Sequence, residues 1–293
     1  MKAITTADWH LRYTVPSCMD MTETEWMNAQ KEALNQVEKI AVEKEVEAIY
    51  IGGDLFHSEN STSFECIYLL QDFAERMAAY EIKVYILAGN HDLPKHSSEN
   101  IPKSAIGVLL NSKNILNMND DSSKIKGCNF DKDDYGNAQF IFKHVLTIPT
   151  EEKADFIECE TPETLLGKYP DAKFIFTGDF HKNFVHATLD NRFVVNSGCL
   201  LKQAVDFEDY QNGVYFVDTD DDYVEWCPVN VEYKFNHQNQ AKKEIDSSIE
   251  KFATGIKKES ITLDYISSLR NELPNHEQPV QNKVTEWITQ IGQ

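Results

Sequence analysis

Apolar residues fall into short, strand-length runs separated by longer stretches of helical period. Runs near 2–7, 48–53, 83–88, 138–148, 173–178, 192–197, 213–218 and 223–229 predict strands, several of them rich in β-branched and aromatic residues. Between the first two runs lies TETEWMNAQKEALNQVEKIAVEKEVE, where Trp26, Ala33, Val37, Ile40 and Ala41 share one helical face behind a Thr cap. A second helical stretch, STSFECIYLLQDFAERMAAY, precedes the third run. This β-α-β-α-β order predicts a parallel sheet in the N-terminal half. The closely spaced strands after 138 predict a second, mixed or antiparallel sheet. Beyond residue 230 the pattern turns helical. Ile245, Ile249 and Phe252 share one face, and Val280, Val284, Trp287 and Ile291 another, which divides the chain into 1–230 and a helical extension at 231–293.

Composition narrows the class. With 293 residues, 41% apolar and 11% aromatic, the chain can build one large α/β core and a small appendage. No apolar run approaches the ~20 residues that span a bilayer. The first strand starts next to Met1, where a signal peptide would need a charged and an apolar region, so an intracellular, cytoplasmic chain is expected. Six cysteines stand singly, without a CxxC pair, and read as reduced structural thiols. The net charge of −20 argues against a generally nucleic-acid-binding surface, since phosphate affinity comes from Lys and Arg. It leaves room for an enzyme in which divalent cations supply the positive charge locally.

The unusual polar residues sit at strand ends, where open α/β sheets bind ligands. The segments TADWHL, GGDLFH, LAGNHD, IFKHV and FTGDFHK offer Asp8, His10, Asp54, His57, Asn90, His91, His144, Asp179 and His181 to one region. Asp54 reads as a metal ligand at a strand tip, with Gly52 and Gly53 letting the backbone turn closely around an ion. Singly, each motif is an ordinary turn or a core histidine; the ordered set is the signal. Mixed carboxylate, amide and imidazole donors suit Mn²⁺ first, with Fe²⁺, Mg²⁺ or Zn²⁺ as alternatives. A shared carboxylate holds two such ions about 3.5–4 Å apart.

The blocks DWHL, GGDLFH, GNHD, His144 and GDFH, spread over residues 1–200, resemble the calcineurin-like metallophosphoesterase superfamily. GDLFH and VVNSGCLLKQ are similar to its SbcD-type DNA-repair exonucleases. The resemblance implies a four-layer α/β/β/α sandwich with a short C-terminal helical extension. It implies one ion held by Asp8, His10, Asp54 and His181, and a second by Asp54, Asn90, His144 and Asp179. It makes His91 the group that contacts phosphate and protonates the leaving oxygen, Asp92 its orienting acid, and His57 a histidine near the substrate backbone. It also implies a DNA substrate, an SbcC-type coiled-coil ATPase partner, a homodimer, and a bacterial or phage-infected cell. One position departs from the pattern: the last block, usually G-H-x-H, has Asp179 where a histidine is expected. That leaves open a second site favouring Mn²⁺ or Mg²⁺, a weaker one, or a non-catalytic interaction protein. A phosphatase or a small-molecule or cyclic-nucleotide phosphodiesterase is the other enzymatic reading, and the acidic surface favours it. His96 reads as a solvated loop residue or one facing substrate, His186 lies near the last motif in sequence, and His237 and His276 receive no role.

Overall fold

The computed structural model describes residues 1–58, 62–120, 124–150, 159–204 and 207–236. Its elements run β1 (Lys2–Thr6), α1 (Glu23–Glu43), β2 (Ala48–Ile51), α2 (Phe64–Ala79), β3 (Lys83–Ile86), α3 (Ala105–Leu110), β4 (Ile115–Asn117), β5 (Ile125–Cys128), β6 (Phe140–Lys143), α4 (Pro162–Lys168), β7 (Phe174–Thr177), β8 (Phe184–Ala187), β9 (Phe193–Asn196), β10 (Gly213–Asp218) and β11 (Tyr223–Pro228). Two compact units emerge. The first comprises Met1–Pro16 and Met21–Lys234, the second Ser17–Asp20 and Phe235–Gln293. In the second unit, Met19 and Phe235 form an isolated antiparallel bridge, and the Asn236 N–H donates to the Cys18 carbonyl at 2.7 Å. The helical faces expected at 245–252 and 280–291, with His237 and His276, lie outside the described residues.

In the first unit, one sheet has the order β11-β10-β1-β2-β3-β4 and the other β5-β6-β7-β9-β8. Strand alternation dictates the layers. Ile4, Ile49, Ile51, Val84, Ile86, Val214 and Phe216 face the helical layer, packing with Trp26, Leu34 and Val37 of α1, Leu70, Phe73 and Met77 of α2, and Ile106 and Leu109 of α3. Their neighbours Ala3, Tyr50, Tyr215 and Val217 point the other way and meet Phe142, Phe174, Phe176 and Val195 of the second sheet. Stacked rings run through that middle layer: Tyr85 on Tyr50 at 5.0 Å, Tyr50 on Phe142 at 4.7 Å and Phe142 on Phe176 at 4.5 Å. Ile141, Ile175 and Val194 face outward onto Leu165 and Leu166 of α4. The result is the expected α/β/β/α sandwich.

Helix α1 begins where its Thr cap predicts. The Glu25 N–H donates to Thr22 Oγ1 at 3.2 Å and the Glu25 carboxylate accepts the Thr22 N–H at 2.8 Å, a reciprocal capping box. Trp26, Ala33, Val37 and Ala41 are buried as expected, whereas Ile40 is only partly so.

One expectation needs correction. Strands β10 and β11 join the first sheet, with β10 antiparallel to β1 and β11 antiparallel to β10, rather than the second. Proximity in sequence favours local pairing, but β10 is buried along its whole length and serves both faces of the first sheet. The second sheet is mixed, the first of the two arrangements expected: β5, β6, β7 and β9 run parallel and β8 antiparallel. Strands β4, β5 and β8 were not anticipated. All three are short edge strands carrying polar or small residues, which blurs the alternation that marks central strands.

Candidate metal centre

The tips of β1, β2 and β7 share an unusual backbone. Asp8, His10, Asp54 and Asp179 all take left-handed conformations, with φ of 53, 46, 52 and 71°. For a residue with a Cβ this costs about 1–2 kcal/mol, and Asp and His are among the types that tolerate it best. The surrounding bonds hold it in place. The Asp8 N–H donates to the Gly53 carbonyl at 3.0 Å, the His10 N–H to the Asp54 carbonyl at 2.9 Å and the Leu11 N–H to the Leu55 carbonyl at 2.8 Å, lacing the segment after β1 to the segment after β2. The Asp179 N–H donates to both Asp8 carboxylate oxygens, at 3.1 and 3.0 Å. Trp9, fully buried between the two ligand candidates, donates from Nε1 to Thr6 Oγ1 and packs edge-on against Phe73.

Among the described residues, donor atoms lie within 4.8 Å of one another in three overlapping groups: Asp8 with His10 and His181, His10 with Asp54 and His91, and Asp8 with Asp54 and His144. Asp54 belongs to two of them. Its Oδ1 accepts the His91 N–H at 2.9 Å, while Oδ2 is buried without a hydrogen-bond partner, 3.3 Å from His144 Nε2 and 3.7 Å from His10 Nε2. His144 donates from Nδ1 to the Gly52 carbonyl at 2.9 Å, and its Nε2 lies 3.0 Å from Asn90 Oδ1. His10 and His181 bring their Nε2 atoms to 3.1 Å of each other, and His10 Nε2 lies 3.9 Å from Asp8 Oδ1.

Lone pairs that converge in this way, with too few protons between them, call for a cation. The donor set fits one. The packing fits it too: a Cβ at Gly53, whose φ is +103°, would lie 2.5 Å from His144 Nδ1, and one at Gly89 would lie 2.2 Å from Asp54 Oδ1. Only glycine lets the strand tips close so tightly.

Burial and the neighbouring charges pull the groups of the cluster in opposite directions. Burial, with Asp54 and Asp179 close by, pushes the Asp8 carboxyl well up despite the opposing pull of His144. Burial acts on Asp54 in the same sense, but His144 and His10 outweigh it and hold that carboxyl far below the usual range. His144 loses basicity through burial and regains more from Asp54, Asp8 and Asp179, reaching about 10. Burial drives His10 and His181 down, and takes His57 to about 4 with help from Arg12 and His91.

The remaining candidates divide. His91 is exposed; its Nδ1 donates to the His57 carbonyl at 2.7 Å, and a ring nitrogen lies within 4.8 Å of the donor atoms of His10 and Asp54. Asp92 does not orient His91 by direct contact, contrary to expectation. It is buried, and its oxygens accept the backbone N–H groups of Leu55 (3.2 Å), Phe56 (3.0 Å) and Gly89 (3.0 Å). Burial and the nearby Asp54 charge raise its carboxyl to about 7. Asp92 therefore stitches the segment after β3 to that after β2, while the His57 main chain orients His91. The Asp179 carboxylate belongs to none of the three donor groups found among the described residues; its backbone is what ties it to Asp8. His186 sits on β8 with its Nδ1 3.7 Å from Glu163 Oε1.

The family model for calcineurin-like phosphoesterases matches residues 1–183. The chain belongs to that family. The match covers every strand tip that carries the cluster. Among curated relatives, the SbcD subunit of the nuclease SbcCD from Bacillus subtilis (strain 168) is 28% identical over 108 residues, which are 35% of this phosphoesterase and 25% of the relative. The chain thus spans about a quarter of that relative's length. Similar solved structures include a Pseudomonas putida nuclease MPE, with 12% identity, TM-score 0.34, and coverage of 77% of this chain and 87% of the other. A dimetal phosphatase from Danio rerio has 11% identity and TM-score 0.47, with coverage of 80% and 98%. No helix among the described residues is long and apolar enough to cross a membrane.

Proposed function

We propose that this phosphoesterase is a two-metal phosphodiesterase of nuclease type that cleaves DNA in the manner of SbcD. The observation that carries the reading is Asp54: buried, shared between the His10 side and the His144 side, and within reach of an exposed His91. Asp8, His10, Asp54 and His181 would hold one ion, and Asp54, Asn90 and His144 the other, with Asp179 completing it by a turn of its side chain. When bound, such a pair supplies a water of lowered pKa and neutralises the phosphate, and Mn²⁺ is the choice the donor set favours. The protein's own part lies with the histidines. His91, its Nδ1 fixed on the His57 carbonyl, presents Nε2 to the departing oxygen and hands it a proton. His57 holds that carbonyl in place and lines the approach to the phosphate. Asp92, pinned by three backbone N–H groups, keeps Asn90 and His91 in register with Asp54.

The likeness to the SbcCD nuclease supports DNA as substrate and an SbcC-type ATPase as partner; DNA repair as setting, a homodimer as assembly and the cytoplasm of a bacterial or phage-infected cell as location extend that reading. The net charge of −20 favours a second reading, a phosphatase or small-molecule phosphodiesterase, because a free acidic surface repels a polyanion. Mn²⁺-dependent cleavage of end-labelled single- and double-stranded DNA, run beside bis-p-nitrophenyl phosphate, separates the two. The nuclease reading expects DNA cleavage that is lost in both Asp54→Ala and His91→Ala. Reporter turnover with intact DNA selects the second reading, and activity surviving Asp54→Ala ends the two-metal model.

A further inference from the structure

A feature without a counterpart in the motifs lies beside the Asn90–His144 half of the centre. Phe130 is 40% exposed, yet its ring stands edge-on to the buried His144 imidazole at 6.4 Å and also meets the His96 ring at 6.4 Å. Those two imidazoles bond the same residue: His144 Nε2 faces Asn90 Oδ1 at 3.0 Å, and His96 Nδ1 donates to the Asn90 carbonyl at 3.1 Å. Phe130 therefore rests on the two rings that position a metal-ligand candidate and turns its free side to solvent.

The loop around Phe130 is unusually well anchored for one bearing an exposed aromatic. The Phe130 N–H donates to the Ala88 carbonyl at 2.9 Å, and Asn129 Oδ1 accepts the Ala88 N–H at 3.0 Å, so two successive residues clamp one residue of the chain leading to Asn90. Asp131 Oδ2 accepts both the Ser98 N–H and the Ser98 hydroxyl at 3.0 Å. On the facing segment, Lys95 and His96 are both left-handed, with φ of 57 and 52°. Two consecutive strained residues persist only where the surroundings over-determine them, a pattern found at ligand sites. An aromatic exposed by chance on a surface needs none of this.

We propose that Phe130, backed by His96, is a wall on which a nucleobase of the substrate strand stacks, holding the neighbouring phosphodiester over the metal centre. The proposal rests on the nuclease reading above and makes Phe130 a specificity-determining residue. Stacking on one aromatic ring is a sequence-tolerant source of strand affinity that needs no Lys or Arg. It answers the difficulty the acidic surface raises, by giving the enzyme a grip on nucleic acid that does not depend on charge.

The test measures base dependence rather than activity alone. Anisotropy of a labelled oligothymidylate is compared with the same strand carrying tetrahydrofuran abasic residues, in EDTA and in Mn²⁺. Hydrolysis of thymidine 5′-(p-nitrophenyl phosphate) is compared with that of methyl p-nitrophenyl phosphate. The wild-type chain should prefer the base-bearing partner in both pairs. Phe130→Ala should reduce that preference about tenfold, through KM rather than kcat, and Phe130→Trp should restore it. A merely structural role would lower both members of each pair together. A wild-type preference that survives Phe130→Ala, or the absence of any preference, overturns the proposal. Base-dependent binding that needs Phe130, without strand cleavage, would uphold the wall and sink the nuclease reading. Strand cleavage indifferent to the base would do the reverse.

Discussion

Replacing Gly89 by alanine tests whether the tips of β2 and β3 meet as closely as a shared metal centre requires. The added Cβ would lie 2.2 Å from Asp54 Oδ1, 2.5 Å from Asp54 N and 2.9 Å from Asp54 Cγ. Asp54 is buried and its backbone is laced to β1, so it cannot swing aside, and relief requires the two segments to part by about 1 Å. Parting strains the His91 N–H bond to Asp54 and the bonds from the Leu55 and Phe56 N–H groups to Asp92, 2.9, 3.2 and 3.0 Å long. Overpacking of this kind costs about 1–3 kcal/mol, offset by the ~0.4–1 kcal/mol that alanine gains by stiffening the unfolded chain. The variant should fold, with a urea midpoint below that of the wild type. Activity should suffer more, because a misplacement of ~1 Å in a catalytic constellation costs about 100-fold. Turnover of bis-p-nitrophenyl phosphate in Mn²⁺ and Mn²⁺ affinity by calorimetry, alongside urea unfolding, read the two effects separately. A Gly89→Ala enzyme whose turnover and Mn²⁺ affinity lie within threefold of wild type would refute the reasoning.

Gly167→Ala is the counterpart: Gly167 is exposed on α4 with nothing within 4 Å of the new Cβ, so the helix should gain about 0.5–1 kcal/mol, seen as a higher urea midpoint at equal turnover. Burial raises the Asp133 carboxyl, but hydrogen bonds from Lys143, Lys168 and Tyr169 outweigh it and hold the group well below the ordinary carboxylate range. A depressed carboxyl lends stability that is present above its unfolded pKa, about 3.9, and is lost as pH falls through the folded value. The wild-type urea midpoint should therefore drop from pH 5 to pH 2 more steeply than that of Asp133→Asn, and parallel curves would contradict the assignment. Cys66, Cys128, Cys199 and Cys227 are buried and Cys18 and Cys159 partly exposed, so a thiol reagent should label two sites in the native protein and four more only on unfolding. Labelling of all six at one rate in native buffer would contradict that burial.

How much of this was legible in the sequence depends on which physical signal each element carries. The central strands β1, β2, β3, β6, β7, β9 and β10 show in their apolar runs because both faces are covered; of the edge strands, β11 with six residues still shows, whereas β4, β5 and β8, with three or four, do not, because solvent relaxes the choice of residue over so short a run. Sheet membership was harder still. Nothing in the run GVYFVD distinguishes pairing with β1 across more than 200 residues from pairing with a recent neighbour, and only assembly of the middle layer decides it. The strand-tip motifs were legible because Asp and His beside glycine are improbable continuations of a buried strand. What the motifs could not convey was the division of labour between side chain and main chain. Asp92 looks like a partner for His91 because it is adjacent in sequence, yet the two sit in a turn that sends their side chains to different partners. Its carboxylate meets the backbone of Leu55, Phe56 and Gly89, and the carbonyl of His57 takes over the orienting bond.

The same distinction explains why Phe130 escaped notice and why it matters. A phenylalanine at the end of CNF carries no motif, and its role is created by bonds made through other atoms: its own N–H and the Asn129 amide on Ala88, and the Asp131 carboxylate on Ser98. Those bonds join the loop after β5, in the second sheet, to the segment after β3, in the first. The middle layer of stacked rings fixes the spacing of the two sheets, and the clamp converts that spacing into the position of Asn90 and of the wall beside it. Asn129→Ala should therefore loosen the centre from a distance: removing Oδ1 leaves the buried Ala88 N–H unpaired, at a cost of about 1–3 kcal/mol. It should lower Mn²⁺ affinity together with base preference, whereas Phe130→Ala should lower base preference alone. Identical effects of the two variants on both readouts would show that the loop acts as a single structural unit and that the exposed ring has no function of its own.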